Sequence, residues 1–182
     1  MEETPNEEVK QEAAKRTVTM HGRPMALAGD EIKPGMPAPD FKATDNDMLP
    51  MKFSRTFRNK VTIISAVPSL DTPVCDLETR RFNTEAEALG PEVTVLTISM
   101  DLPFAQKRWC GAAGIKTVRT FSDYQKADFG KSYGVLIKEL RLLARAVFIV
   151  DKDGIVKYAQ IVPEVGKEPD YAEVLHAVKA MI

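Results

Sequence analysis

Cys75 lies where a hydrophobic segment gives way to a helix start, a position at which a thiol can become a nucleophile. Thr72 suits the N-cap of this helix, and Pro73 then takes the first helical position, where its fixed φ fits. Cys75 follows at the third position, which in a capping box holds a carboxylate. Free backbone N–H groups and the positive end of the helix dipole are expected to favour thiolate over thiol there.

Three acidic residues close to Cys75 act against this expectation. Asp71, Asp76 and Glu78 place negative charge near the sulfur, which disfavours the thiolate unless their side chains point to solvent. The sequence leaves their orientation open.

The second cysteine, Cys110, is too distant in sequence to form a C-x-x-C motif with Cys75. A structural zinc site needs four Cys or His ligands, and the two histidines, His21 and His176, lie near opposite ends of the chain. We therefore expect neither a metal nor a cofactor. In a reducing cytosol two such cysteines are more often buried apolar residues than a redox pair, so their local context decides.

The composition limits the classes of partner. With 182 residues and 44% hydrophobic content, the chain fits one globular domain, and a net charge of −1 does not favour nucleic acid or an anionic membrane. The acidic opening residues 1–8 lack the basic start and apolar core of a secretory signal, and no apolar run is long enough to cross a membrane. These features predict a cytoplasmic protein.

The first half of the chain predicts a parallel sheet. Residues 1–16 form an acidic N-terminal tail, and the segments 17–20 and 24–28 flank His21–Arg23 as a β-hairpin. The apolar segment 61–67 has the pattern of a central strand, the helix that starts at Pro73 extends to about residue 89, and 93–99 is a second buried strand. This βαβ order places the two strands side by side and parallel.

In the second half, Asp101 is the expected N-cap of a helix over 102–110, which Gly111 ends, so that Cys110 falls on its last turn. The later elements are a strand over 118–121, a helix or turn over 124–133, a hairpin of 146–150 and 155–160 with an Asp-Gly turn, and a helix over 170–182. A βαβ half followed by a ββα half is the order of a thioredoxin-like sheet, so we expect an α/β protein with one such domain over 17–182.

Three motifs resemble one protein family. Pro68, Thr72 and Cys75 match the P-x-x-x-T-x-x-C signature of the peroxiredoxins, and the surrounding PSLDTPVC is similar to their thiol peroxidase branch, of the atypical 2-Cys type. The segment SMDLPFAQ, which runs into Trp109-Cys110-Gly111, resembles the resolving-cysteine helix of that branch. RAVFIVD, which begins at Arg145, resembles the strand that carries its active-site arginine.

This resemblance implies a role for each residue. Cys75 would be the peroxidatic cysteine and Cys110 the resolving one, Thr72 would hydrogen-bond the sulfur and the peroxide, Pro68 would shield the pocket, and Arg145 would hold the thiolate charge. It also implies a thioredoxin-like fold and a homodimer. The implied activity is reduction of hydrogen peroxide and of organic or lipid hydroperoxides through an intramolecular disulfide, which a thioredoxin-type reductant reopens.

Simpler roles stay open for each position. Thr72 could be an ordinary N-cap, Pro68 a turn residue, Arg145 a surface charge, and Cys110 a core residue beside Trp109. A non-catalytic redox sensor or binding module on the same fold is the alternative function. If the two cysteines do form a disulfide, we expect the end of the Cys110 helix to unwind, because residues that start on different helices are rarely within bonding distance.

Overall fold

The computed structural model describes residues 16–182, which form eleven strands and five helices. The strands are β1 (Thr17–Met20), β2 (Arg23–Ala28), β3 (Lys42–Thr44), β4 (Pro50–Lys52), β5 (Val61–Ala66), β6 (Val93–Ser99), β7 (Arg119–Ser122), β8 (Leu136–Ile137), β9 (Leu142–Leu143), β10 (Ala146–Val150) and β11 (Val156–Ile161). The helices are α1 (Phe53–Thr56), α2 (Pro73–Leu89), α3 (Pro103–Ala113), α4 (Asp128–Ser132) and α5 (Tyr171–Lys179).

A seven-stranded mixed sheet forms the centre of the fold, with the strand order β11-β10-β5-β6-β7-β3-β4. Strands β5, β6 and β7 are parallel, and β10 pairs antiparallel with both β5 and β11. The predicted βαβ unit of β5, α2 and β6 is therefore confirmed, as is the β10–β11 hairpin. These findings confirm the α/β class with a central mixed sheet.

Both faces of this sheet are covered, which explains why its strands are almost continuously apolar. On β5, Ile63 faces a core that includes Phe82 of α2 and Val174 of α5. The next residue, Ile64, faces a second core that includes Phe129 of α4. Successive side chains of a strand point to opposite faces, so neighbouring residues of β5 pack against helices on opposite sides of the sheet.

The N-terminal β-hairpin is confirmed and belongs to a second, four-stranded sheet of order β1-β2-β8-β9. Its turn is His21-Gly22, and both residues have positive φ, of 50° and 77°. A two-residue turn with two positive φ angles matches the twist of the flanking strands. Strand β2 begins at Arg23, one residue earlier than expected.

The boundaries of α3 differ from the sequence prediction. The helix extends to Ala113, and Gly114 in the left-handed region (φ 66°) ends it, so Gly111 lies inside the helix. The N-cap is Leu102 and makes no side-chain cap, so the prediction that Asp101 caps this helix is wrong. Cys110 nevertheless lies in the last turn, as predicted.

Residues 1–15 of the predicted acidic tail lie outside the described residues. Among residues 16–182, no helix combines the length and apolar character needed to span a membrane.

Candidate active site

Cys75 is buried at the start of α2, directly beyond the end of strand β5. Thr72 is the N-cap, as predicted, and its hydroxyl accepts a hydrogen bond of 3.4 Å from the Cys75 backbone N–H. The Cys75 side chain is fully buried in a small cluster with Val67 and Leu70, against which Trp109 of α3 packs. The sulfur is thus placed at the positive end of a helix and shielded from water.

Arg145 faces Cys75 because of its register on the sheet. It immediately precedes β10, and Val147, two residues later, lies in the core beneath α2. Residues two apart on a strand share a face, so the Arg145 side chain also points toward α2. There its Nη2 donates to Cys75 Sγ at 3.2 Å. Only 2% of this side chain is exposed. The guanidinium therefore lies beside the sulfur, where it could hold a thiolate charge as the resemblance implies.

Glu78 holds the other end of the guanidinium. Its Oε2 accepts a hydrogen bond from Arg145 Nη1 at 2.6 Å, and its Oε1 accepts one from the Ser65 hydroxyl at 2.9 Å. Burial raises the pKa of Glu78, and the Arg145 charge opposes that rise. A buried carboxylate with these partners fixes the arginine in one orientation.

The structure answers the question about the three nearby acids. Asp71 is exposed, whereas Glu78 is fully buried and paired with Arg145. Asp76 is partly buried and accepts hydrogen bonds from Trp109 Nε1 at 2.8 Å and from Arg80 Nε at 2.9 Å. Each of the two acids on the helix therefore has a cationic or N–H partner, and neither points freely at the sulfur.

Pro68 and Thr72 flank the loop that leads from β5 into α2. Pro68 is buried, and the Thr72 hydroxyl donates to the Ser69 carbonyl at 3.0 Å. The Thr72 hydroxyl thus bonds the backbone N–H of Cys75, and its described hydrogen bonds do not include the Cys75 sulfur. The structure brings together three of the five predicted site residues, namely Thr72, Cys75 and Arg145, and Pro68 is buried next to Val67 of the Cys75 cluster.

Asp101 fixes this loop from the neighbouring strand. Its carboxylate accepts hydrogen bonds from the Ser69 hydroxyl at 2.7 Å, the Leu70 N–H at 2.8 Å and the Ser99 hydroxyl at 2.7 Å. These contacts occupy the carboxylate, which explains why it does not cap α3. Asp101 instead links the end of β6 to the loop before Cys75.

Cys110 occupies a different environment in the last turn of α3. It is half-buried, its Sγ lies 3.4 Å from Thr120 Oγ1, and the Asn46 side-chain amide lies 4.0 Å from it. Both cysteines are free thiols. Cys110 is not bonded to Cys75, but the adjacent residue Trp109 packs against the Cys75 cluster.

Sequence reasoning missed Glu78 as a member of the site, although a signal for it was present. Glu78 lies three residues after Cys75 on a stripe that continues with Phe82, so a carboxylate interrupts the buried face of the helix. A buried acid at that spacing requires a cationic partner. Trp109 and Asp101 carried no comparable local signal.

The geometry defines a class of protein. A buried cysteine at a helix start, opposed by a guanidinium that is itself held by a buried carboxylate, stabilises a sulfur anion. Among the described residues, no group of three or more His, Cys, Asp or Glu side chains could hold a metal ion. The fold and site define a protein whose candidate reactive group is a buried cysteine thiol.

Comparisons with known proteins identify the family. The redoxin family model matches residues 33–175. The thiol peroxidase of Bacillus subtilis is 52% identical over 165 residues, which cover 91% of this chain and 98% of that protein. The thiol peroxidase of Oceanobacillus iheyensis is 54% identical over 158 residues, which cover 87% and 95%.

Solved structures agree with this result. A peroxiredoxin-like protein from Aquifex aeolicus has a TM-score of 0.85 and 44% identity, with coverage of 92% of this chain and 98% of that one. The likeness confirms the thioredoxin-like fold. The chain belongs to the redoxin family and, within the peroxiredoxins, to the thiol peroxidase branch.

Proposed function

We propose that this protein is a thiol peroxidase that reduces hydroperoxides with Cys75 as the peroxidatic residue. The observation that carries the proposal is the 3.2 Å contact between Arg145 Nη2 and the fully buried Cys75 Sγ at the start of α2. The homologues named thiol peroxidase, at about half identity over most of the chain, support the same activity.

In the first step the Cys75 thiolate attacks one oxygen of the peroxide. A sulfur–oxygen bond forms, the oxygen–oxygen bond breaks, and the second oxygen leaves as hydroxide or alkoxide, which takes up a proton to give water or alcohol. Cysteine is oxidised to sulfenic acid. Negative charge moves from sulfur to the leaving oxygen, so Arg145 and the N–H groups at the start of α2 stabilise the transition state more than the ground state.

In the second step the Cys110 thiol attacks the Cys75 sulfenic acid, which forms the disulfide and releases water. Cys110 lies on α3 and Cys75 on α2, so the last turn of α3 unwinds to bring the sulfurs together. Trp109 opposes this motion, because its indole packs on the Cys75 cluster and its Nε1 bonds Asp76. Release of Trp109 is therefore part of the resolving step.

The remaining partners follow from this chemistry. A dithiol reductant of the thioredoxin type reopens the disulfide by thiol–disulfide exchange. A thiol that is oxidised in every cycle requires a compartment that supplies such reductants, which favours the cytoplasm. Membership of the thiol peroxidase branch supports a homodimer and activity on organic and lipid hydroperoxides as well as hydrogen peroxide.

One mass-spectrometric experiment tests both sulfur roles. After one equivalent of peroxide under non-reducing conditions, the wild-type chain should lose two hydrogens, and Cys110→Ser should yield a sulfenic acid that a dimedone-type reagent traps at Cys75. Turnover of peroxide in large excess over protein, with thioredoxin and its reductase present, separates the enzyme from a redox sensor. Disulfide formation without turnover would identify a sensor instead.

A further inference from the structure

The segment Pro163–Val165 connects the N-terminal hairpin to the active-site arginine. It follows β11 and lies against β1, with which it forms a parallel bridge between Thr19 and Glu164. The Thr19 N–H donates to the Pro163 carbonyl at 2.7 Å, and the Val165 N–H donates to the Thr19 carbonyl at 2.9 Å. The segment is thus held by the hairpin through its backbone.

Val165 also contacts Arg145. Its carbonyl accepts a hydrogen bond of 3.0 Å from Arg145 Nε, while its N–H is bound by the hairpin. The guanidinium therefore has three directed partners, namely Val165, Glu78 and Cys75. Because a guanidinium is rigid and planar, a displacement of any one acceptor rotates the donor aimed at the sulfur.

Glu164 fastens the segment to the hairpin turn. Its carboxylate accepts hydrogen bonds from the Thr19 hydroxyl at 2.5 Å, the His21 N–H at 3.1 Å and the Gly22 N–H at 3.3 Å. The hydrogen bond from Thr19, followed by those from the backbone, lowers the pKa of Glu164, so this carboxylate is ionised at neutral pH. The two turn residues have positive φ, which directs adjacent N–H groups toward one acceptor.

We propose that Glu164 is a positioning residue for the peroxidase reaction: by tying the hairpin turn to the segment 163–165, it holds the Val165 carbonyl that orients Arg145 toward Cys75. The N-terminal hairpin is then part of the support of the active site. This inference rests on the proposed function of Cys75 and Arg145.

A purely structural contact makes a different prediction. If Glu164 only stabilises the hairpin, its removal lowers the melting temperature and leaves the reactivity of Cys75 unchanged. If it positions Arg145, the removal also slows the attack on peroxide and shifts the pH profile of Cys75 alkylation upward, because the guanidinium then stabilises the thiolate less well. The second readout distinguishes the two roles.

The chain supplies a matched control in Glu139. Its carboxylate also accepts hydrogen bonds from the same hairpin, at 3.1 Å from the Ala26 N–H, and hydrogen bonds to the backbone lower its pKa as well. The described hydrogen bonds of its carboxylate involve Ala26 of β2 and do not reach the segment 163–165. Glu139→Ala therefore removes a carboxylate that also binds the hairpin, through one N–H group, without touching the acceptor of Arg145.

The experiment compares Glu164→Ala, Glu164→Gln and Glu139→Ala in the full-length chain carrying Cys110→Ser, which isolates the first step. Quenched-flow mass spectrometry gives the rate constant for hydrogen peroxide, and iodoacetamide labelling gives the alkylation profile. Misplacement of a catalytic group by about 1 Å can cost about 100-fold, so we expect Glu164→Ala to slow the reaction by about 10- to 100-fold. Glu164→Gln, which keeps one acceptor oxygen, should recover part of the rate, and Glu139→Ala should match the parent.

A further variant tests the route through Arg145. In an Arg145→Met background, Glu164→Ala should cause no additional loss of rate, because the group that it positions is absent. If Glu164→Ala slows the Arg145→Met protein by the same factor as it slows the protein that retains Arg145, the inference is wrong. So would an unchanged rate in Glu164→Ala alongside a lower melting temperature. Absence of any peroxide reaction in the parent protein would instead refute the proposed function, so the two failures are distinguishable.

Discussion

Cys75 and Cys110 differ in burial, in charged partners and in the elements that hold them. Cys75 is fully buried, lies in the first turn of a long helix and faces a guanidinium that a buried carboxylate fixes in place. Cys110 is half-buried on the last turn of α3, where its sulfur meets neutral groups, Thr120 and Asn46. These differences fit the proposed roles, in which Cys75 stays fixed while it reacts with peroxide and Cys110 moves when the last turn of α3 unwinds.

The clearest way to test this comparison is to remove each sulfur. Cys75→Ser should abolish peroxide consumption, because no nucleophile remains. Cys110→Ser should still consume one equivalent of peroxide in a single turnover and then stop, because the sulfenic acid has no internal partner. Quantitation of residual peroxide checks both outcomes. Equal single-turnover activity in the two variants would contradict the assignment of roles.

Arg145→Met should produce the next largest effect. Removal of one preorganised donor in an anion-stabilising site typically costs about 100- to 1000-fold in rate, and we expect a loss of that size in peroxide reduction. The variant also leaves Glu78 buried without its cation, which should lower the free energy of unfolding by about 3–5 kcal/mol. Quenched-flow kinetics measures the rate of peroxide reduction, and urea denaturation measures the free energy of unfolding.

A double variant separates stability from chemistry at this site. Arg145→Met combined with Glu78→Gln removes both buried charges, so much of the lost stability should return. The rate should stay low, since the donor to the sulfur is still missing. Recovery of the rate together with stability would show that Arg145 acts only as a structural partner of Glu78.

A pH titration compares two buried acids with different partners. Glu78, beside Cys75, is paired with Arg145, whereas Asp123, which directly follows β7, is bound by the Phe129 and Gly130 N–H groups. Burial raises the pKa of Asp123 from 3.8 to about 6. The folded state therefore holds this proton more tightly, so its contribution to stability is present at low pH and is lost as the pH rises from about 4 to about 6.

The corresponding free energy is up to about 3 kcal/mol. The stability difference between wild type and Asp123→Asn isolates this contribution from that of other acids, and it should be largest near pH 4 and shrink toward neutral pH. Urea unfolding over this range measures it. A difference that grows with pH would show that Asp123 is stabilised as the carboxylate.

Trp109→Phe should have the smallest effect and should act on Cys110 alone. The substitution keeps an aromatic ring and removes the donor to Asp76, which is worth about 1 kcal/mol. If the last turn of α3 must detach, disulfide formation should accelerate by about fivefold, since 1.4 kcal/mol corresponds to tenfold. Sulfenic acid formation should be unchanged. Slower disulfide formation would mean that the indole guides Cys110 rather than restrains it.

The sequence alone predicts the local parts of this site better than its long-range contacts. Strand β5 and the start of α2 follow from an apolar run and from the Thr72-Pro73 cap, and the structure places them as expected. The pairing of Arg145 with Glu78 depends on the register of β10 against β5, which no local pattern specifies. The sequence predicts Asp101 as a helix cap because that is the nearest local use for its carboxylate, whereas the folded chain brings Ser69 and Leu70 to it.

The position of Trp109 has a practical consequence. The chain contains a single tryptophan, and its indole lies against the Cys75 cluster, one residue before Cys110 and within 5.8 Å of the Arg80 guanidinium. Any step that detaches the end of α3 moves this indole from a partly apolar contact into water. Its intrinsic fluorescence is therefore a natural label for opening and closing of the molecule, and it can be followed in the unmodified protein as peroxide and reductant are added in turn.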